Sequence, residues 1–232
     1  MLLSNKRTPE QRRFLHAVFS PALITLVFIL VFVLEQGLGV DFHKAGIMPR
    51  DFSKAWTIFS YVFIHADWGH LLNNSISFIV LATCLFYFYK QLSYSVLFIS
   101  WLLSGVILWT IGRESWHKGA SGLIYSIAFF LFFSGLIRKH IPLIAISLVI
   151  TFLYGSMVWH LFPWKVNDPI SWEGHLAGGI TGLILSILFR KSGPQKPIKL
   201  WEEEEEDDSI DYTEDVDFQT GDGHDEDNTT LN

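Results

Sequence analysis

Apolar residues run along this chain in long stretches that lack the every-second-residue alternation of strands, with polar side chains gathered between them. Six stretches, near residues 14–35, 69–89, 93–112, 120–137, 141–161 and 173–190, approach the roughly 20 apolar residues needed to cross about 30 Å of hydrocarbon. Backbone groups in lipid must find partners internally, so such runs predict helices rather than a barrel. The expected fold is an all-α membrane protein. A bundle of six transmembrane helices would occupy residues 14–190, after a short cytoplasmic segment at 1–13.

The connection at 36–68 contains "DFSKAWTIFSYVFIHADWG", too apolar for a solvated loop and too interrupted for a span. It is expected to lie partly in the outer membrane interface. Fifteen of the 23 acidic residues fall between Glu202 and Asp227, so the formal charge of −6 belongs to an appendage. Residues 191–232 cannot bury enough apolar surface to fold and are expected to form a disordered cytoplasmic tail. The body is basic, and its Lys and Arg set the orientation: with both termini inside, Arg12, Arg13, Arg138, Lys139 and their neighbours outnumber Lys44, Arg50, Lys54, Arg113, Lys118 and Lys165 outside. A single cysteine, Cys84, leaves no intrachain disulfide and no thiol-based metal or redox motif.

Polar groups within apolar spans are costly and point to function. Three sets stand out: "HADWGHLLNN" at 65–74, "GASGLIYS" at 119–126 and "EGHLAGGITG" at 173–182. Small residues Gly119, Ala120 and Gly122 clear space around Ser121, whose hydroxyl needs a base to become a nucleophile. His175 opens the last span, and the stripe of Gly178 and Gly182 would let that helix pack close to Gly122 and Ser126 and bring His175 within hydrogen-bond distance of Ser121. His160 is the rival base. Tyr125, one turn after Ser121, could stack on the imidazole. With no carboxylate found in the apolar segments, a Ser-His dyad is expected in place of a triad. His70 and Asn74, four apart, could donate to an oxyanion, with Asn73 beside them. His65 lies five residues from His70, which would turn the two apart on one helix, and there is no HExxH, so no metal site is expected.

Together the three sets resemble the rhomboid family of intramembrane serine proteases. "GASGLIY" resembles its GxSGxxY motif, "HADWGHLLNN" its H-x4-H-x3-N pattern, and "GHLAGGITG" its histidine-plus-GxxxG helix. The resemblance implies a six-helix rhomboid-like bundle with Ser121 as nucleophile and His175 as base. It implies His70 and Asn74 at the oxyanion, Tyr125 supporting His175, and His65 bracing the first loop. It further implies that residues 162–172 form a mobile cap beside span five. One departure is Thr57 after Trp56, where the family often has arginine. The expected activity is endopeptidase cleavage of transmembrane segments, without a cofactor. Expected partners are membrane-protein substrates and the lipid bilayer, with no nucleic acid, and the expected location is a bacterial inner membrane. The alternatives are a catalytically inactive rhomboid-like binder of transmembrane helices and a channel or transporter. The presence of both Ser121 and His175 argues against the first, the scarcity of charge in the spans against the second.

Overall fold

A computed structural model describes residues 7–162 and 171–197. Among these, six α-helices form: α1 (Pro9–Leu38), α2 (Trp68–Phe88), α3 (Ser93–Ile111), α4 (Ser121–Arg138), α5 (Ile141–Tyr154, continued by a 3₁₀ stretch Gly155–Leu161) and α6 (Trp172–Leu188). They correspond one to one with the apolar runs of the sequence. Five, counting α5 with its continuation, are long and apolar enough to cross a membrane. The 17-residue α6 reaches about 26 Å at 1.5 Å per residue. The expected acidic tail beyond residue 197 and most of the expected cap, at 163–170, lie outside the described residues.

The helix ends follow from local chemistry. Thr8 and Gln11 form a reciprocal capping box and Pro9 sits at the first helical position, so α1 starts five residues before its apolar run. Gly39, at φ 61°, stops it in the left-handed conformation that glycine adopts readily. Asp67 caps α2 by accepting from the His70 amide at 2.9 Å.

α4 lies at the centre, packed by α2, α3, α5 and α6. Its closest partner is α6: a Cβ on Gly178 would collide with the Gly122 carbonyl, and one on Gly182 with the Ser126 carbonyl. The two small-residue stripes thus bring the helix backbones together. At the other end of α4, the buried Arg138 guanidinium donates to carbonyls of Phe189 (2.6 Å), Ser192 (2.7 Å), Pro194 (3.1 Å) and Arg190 (3.2 Å), and its Nε donates to Ser134 Oγ (2.8 Å). It satisfies carbonyls that the end of α6 leaves without helical partners. α5 is the least embedded span: Phe152 is 89% exposed and Ile141 80%.

The long first connection folds as three short 3₁₀ turns that dock on residues 112–120. Ile47 and His117 exchange backbone hydrogen bonds (2.7 and 2.8 Å), the Gly119 amide donates to Tyr61 O (2.9 Å), and Arg50 Nη1 donates to Gly112 O (2.6 Å). Thr57, where an arginine was looked for, is buried and bonds the Lys54 carbonyl. Arg50 is the arginine that ties this loop down.

Candidate active site

Where α4 begins, a cavity of about 540 Å³ is lined by Ser121, His175, His70, Asn74 and Tyr125. These five residues come from three helices, α2, α4 and α6, and share one polar chamber. Ser121 is the first residue of α4, and Ala120 before it offers no side-chain cap, so the first-turn amides stay available as donors. Ser121 Oγ makes no hydrogen bond among the described residues. The expected Ser121–His175 bond is thus not formed in this conformation, although both side chains face the same cavity.

His175 is held on two sides. Its ring stacks on Tyr125 with centroids 4.2 Å apart and planes within 6°. Its Nδ1–H donates to the His160 carbonyl at 3.0 Å, which makes Nε2 the unprotonated nitrogen of the neutral ring. A main-chain oxygen therefore does the orienting that an aspartate does in a triad. His160, the rival base, also lines the cavity: its backbone carbonyl holds His175 Nδ1, and its exposed ring meets the His175 ring edge to face at 6.4 Å. Tyr125 in turn donates its hydroxyl to Met157 O at 3.0 Å, which ties α4 to the stretch after α5.

Gly119, at φ 111°, makes room for the donor pair. A Cβ there would stand 2.6 and 2.7 Å from His70 Cε1 and Nε2 and 3.3 Å from Asn74 Nδ2. Ala66 N–H donates to His70 Nδ1 over a long 3.5 Å, which places the ring proton on Nε2, the atom beside Gly119. Asn74 is only 6% exposed, and its Nδ2 finds no acceptor among the described residues. A buried amide without an acceptor is costly unless a ligand supplies one. Asn73 also lines the cavity but is exposed, whereas Asn74 is buried beside Gly119.

His65 precedes α2, so the argument that turned it away from His70 on a shared helix does not hold. The two rings meet edge to face at 5.2 Å. His65 is 2% exposed, leans on Phe28 and bonds Phe63 O at 3.3 Å. Burial pushes it down to about 4, with the neighbouring His70 adding to the shift. It is a neutral brace between α1, the first loop and the donor pair.

Two features were missed from the sequence. The first is Glu173, in the first turn of α6. Its side chain is 3% exposed and lies 3.6 Å from Arg113 Nε, so a carboxylate does stand at the head of an apolar span. The second is His117, in the segment before α4. It is 3% exposed, lines the cavity and bonds Ser171 Oγ at 2.6 Å. A carboxylate two residues before the candidate base was the available signal for Glu173. For His117 the sequence held none, because its burial comes from the first loop folding over it.

The rhomboid domain family matches residues 53–192, from the first loop through the end of α6. An uncharacterized protein of Mycobacterium tuberculosis is 30% identical over 184 residues, covering 75% of each chain. Rhomboid-related protein 1 of Caenorhabditis elegans is 28% identical over 147 residues, 60% of this chain and 41% of the relative. Rhomboid-related protein 2 of Mus musculus is 28% identical over 145 residues, 58% and 48% of the two. With this match over the helices that build the cavity, the chain belongs to the rhomboid family and is an integral membrane protein.

Proposed function

We propose that the protein is an intramembrane serine endopeptidase that cleaves transmembrane segments of other membrane proteins. The observation that carries the reading is the state of His175: stacked on Tyr125, bonded through Nδ1 to a carbonyl, and lining the cavity that holds Ser121. Hydrogen bonds of this kind are often long in resting enzymes and tighten only with substrate bound. In the reaction, Ser121 Oγ attacks the scissile carbonyl carbon while its proton passes to His175 Nε2. The carbonyl oxygen becomes the oxyanion and accepts from His70 Nε2–H, Asn74 Nδ2–H and the Ser121 amide at the start of α4. His175 then gives its proton to the departing amine as the C–N bond breaks. Water, deprotonated by His175, hydrolyses the acyl-enzyme and restores the serine.

The substrates are single-span proteins whose helix unwinds near one end, at small residues or near Gly and Pro, because a continuous helix keeps its carbonyls bonded. Both termini lie in the cytoplasm, so that cleavage takes place toward the outer side of a bacterial inner membrane. The deciding experiment places the purified protein in lipid vesicles with a single-span test substrate and compares wild type with Ser121→Ala and His175→Ala. Cleavage by wild type alone is expected. Equal cleavage by all three sinks the nucleophile assignment, and cleavage by none favours an inactive helix-binding relative. A reporter fused after Lys199 is expected to score as cytoplasmic, and an external signal reverses the orientation.

A further inference from the structure

Two residues that line the cavity, His117 and Ser171, make a contact that the proposed chemistry does not use. His117 stands four residues before Ser121, and Ser171 four residues before His175. The Ser171 hydroxyl and His117 Nδ1 meet at 2.6 Å, while His117 Nε2–H donates to Arg113 O at 3.0 Å. Because Nε2 carries the proton, Nδ1 accepts and Ser171 O–H donates. Ser171 Oγ in turn caps α6, accepting from the Gly174 amide at 3.1 Å. His117 cannot drift, since its backbone is paired with Ile47 in both directions. A second strap runs parallel, from the Arg113 amide and side chain to Glu173 (3.4 and 3.6 Å). The segment leading into the nucleophile's helix is thus fastened to the segment leading into the base's helix.

We propose that His117 is a positioning residue: through Ser171 it fixes the height and rotation of the first turn of α6, and so the placement of His175 against Ser121. This rests on the serine endopeptidase reading above. The glycine stripes set how near α4 and α6 approach, but contacts between smooth helix faces leave sliding and rotation loosely determined. A bond between fixed points at the two helix heads removes that freedom. Imidazole suits the task because it donates on one side and accepts on the other. Phenylalanine fills the volume and does neither, whereas glutamine retains both functions.

The test compares wild type with His117→Phe, His117→Gln and Ser171→Gly in detergent, each confirmed as folded by its thermal melt. Glycine is nearly as good a helix cap as serine, so Ser171→Gly removes the clasp with little loss to α6 itself and serves if His117→Phe does not fold. The readouts are the rate of Ser121 labelling by a fluorophosphonate, kcat and KM on a single-span substrate, and hydrogen exchange of amides 172–178. For His117→Phe and Ser171→Gly, labelling and kcat are expected to fall about 100-fold, the scale of a 1 Å misplacement, with KM unchanged. Exchange at 172–178 quickens in both, and His117→Gln recovers most of each property. Wild-type labelling in His117→Phe and Ser171→Gly, or a His117→Gln as defective as His117→Phe, overturns the proposal. If wild type itself neither labels nor cleaves, the endopeptidase reading fails on its own, and exchange still judges the clasp: unchanged protection at 172–178 overturns it.

Discussion

Replacing Gly119 with alanine separates catalysis from stability at a single position. The new methyl would stand 2.6 Å from His70 Cε1 and 2.7 Å from Nε2, against ordinary carbon contacts that begin near 3.5 Å. The imidazole must therefore retreat by about 0.8 Å or swing out of its donor position, because the Gly119 backbone is itself pinned to Tyr61 O. Alanine at φ 111° adds strain of about 1–3 kcal/mol, and forcing the methyl against the ring adds about 1–3 kcal/mol more. Loss of one oxyanion donor lowers kcat by about 10²–10³-fold. The expected result for Gly119→Ala is a folded protein with a lower melting temperature in detergent and a hundredfold or greater loss of substrate cleavage, on the same scale. Gly119→Ala combined with His70→Ala tells clash from chemistry: removing the ring relieves the crowding and restores part of the melting temperature, while activity stays as low as in His70→Ala alone. Non-additivity of this kind is the signature of two residues that share one space. Wild-type kcat in Gly119→Ala, or no stability recovered in the double variant, would show that the donor pair does not converge beside Gly119.

Three further outcomes follow from contacts elsewhere. Gly178→Ala drives a methyl into the Gly122 carbonyl and to 2.8 Å from Tyr125 Cβ, so it should lower both the melting temperature and Ser121 labelling, whereas Gly37→Ala, with nothing within 4 Å, should leave labelling unchanged and gain up to about 1 kcal/mol of helix propensity. Arg138→Lys keeps the charge but not the planar fork that reaches four carbonyls, so thermal melts should show a loss of about 3 kcal/mol, while Ser121, about 25 Å away along α4, labels normally below the melt. His65 takes up its proton near 6.5 when unfolded and near 4 when folded, so between those values the unfolded chain binds more protons. Stability should be full above pH 6.5, fall by about 3 kcal/mol as pH drops toward 4, and level off below; a His65→Gln melt series that keeps the same slope would assign it to another group.

The helices were legible because hydrocarbon admits few solutions: a long apolar run has to close its own hydrogen bonds, and every such run became a helix. Their ends were less so. α1 begins at Pro9 because Thr8 and Gln11 cap each other in a polar stretch that hydropathy does not register. The first loop was read as too interrupted for a span, yet its turns are fixed by partners some 60 residues away in sequence, such as Arg50 with Gly112. Spacing could place Ser121, Tyr125, His70 and the two asparagines on their faces. It could not choose Asn74, since that choice depends on Gly119 approaching from another segment. The expected lack of carboxylates in the apolar segments overlooks Glu173 and gives no guide to His175, whose partner is the His160 carbonyl and has no side-chain signature.

The chain departs from its local rules in several places, with Arg50 and Lys139 at positive φ and Glu35, Tyr89 and Trp101 burying polar atoms without partners among the described residues, and one group of departures gathers at the cavity. Gly119 adopts a φ closed to other residues, α4 starts on an uncapped alanine, Asn74 buries an amide donor without an acceptor, and Glu173 carries a carboxylate into an apolar helix. Taken singly, each is a small liability that a packing explanation could absorb. All four border one cavity or the residues that frame it, and two of them, the first-turn amides of α4 and the Asn74 amide, are hydrogen-bond donors without acceptors among the described residues. Natural sequences tolerate such conflicts where function requires them. Unused donors facing a serine call for an acceptor that the protein does not itself provide. The oxygen of a substrate carbonyl, made anionic by attack, is the acceptor that the proposed endopeptidase activity would bring to these donors.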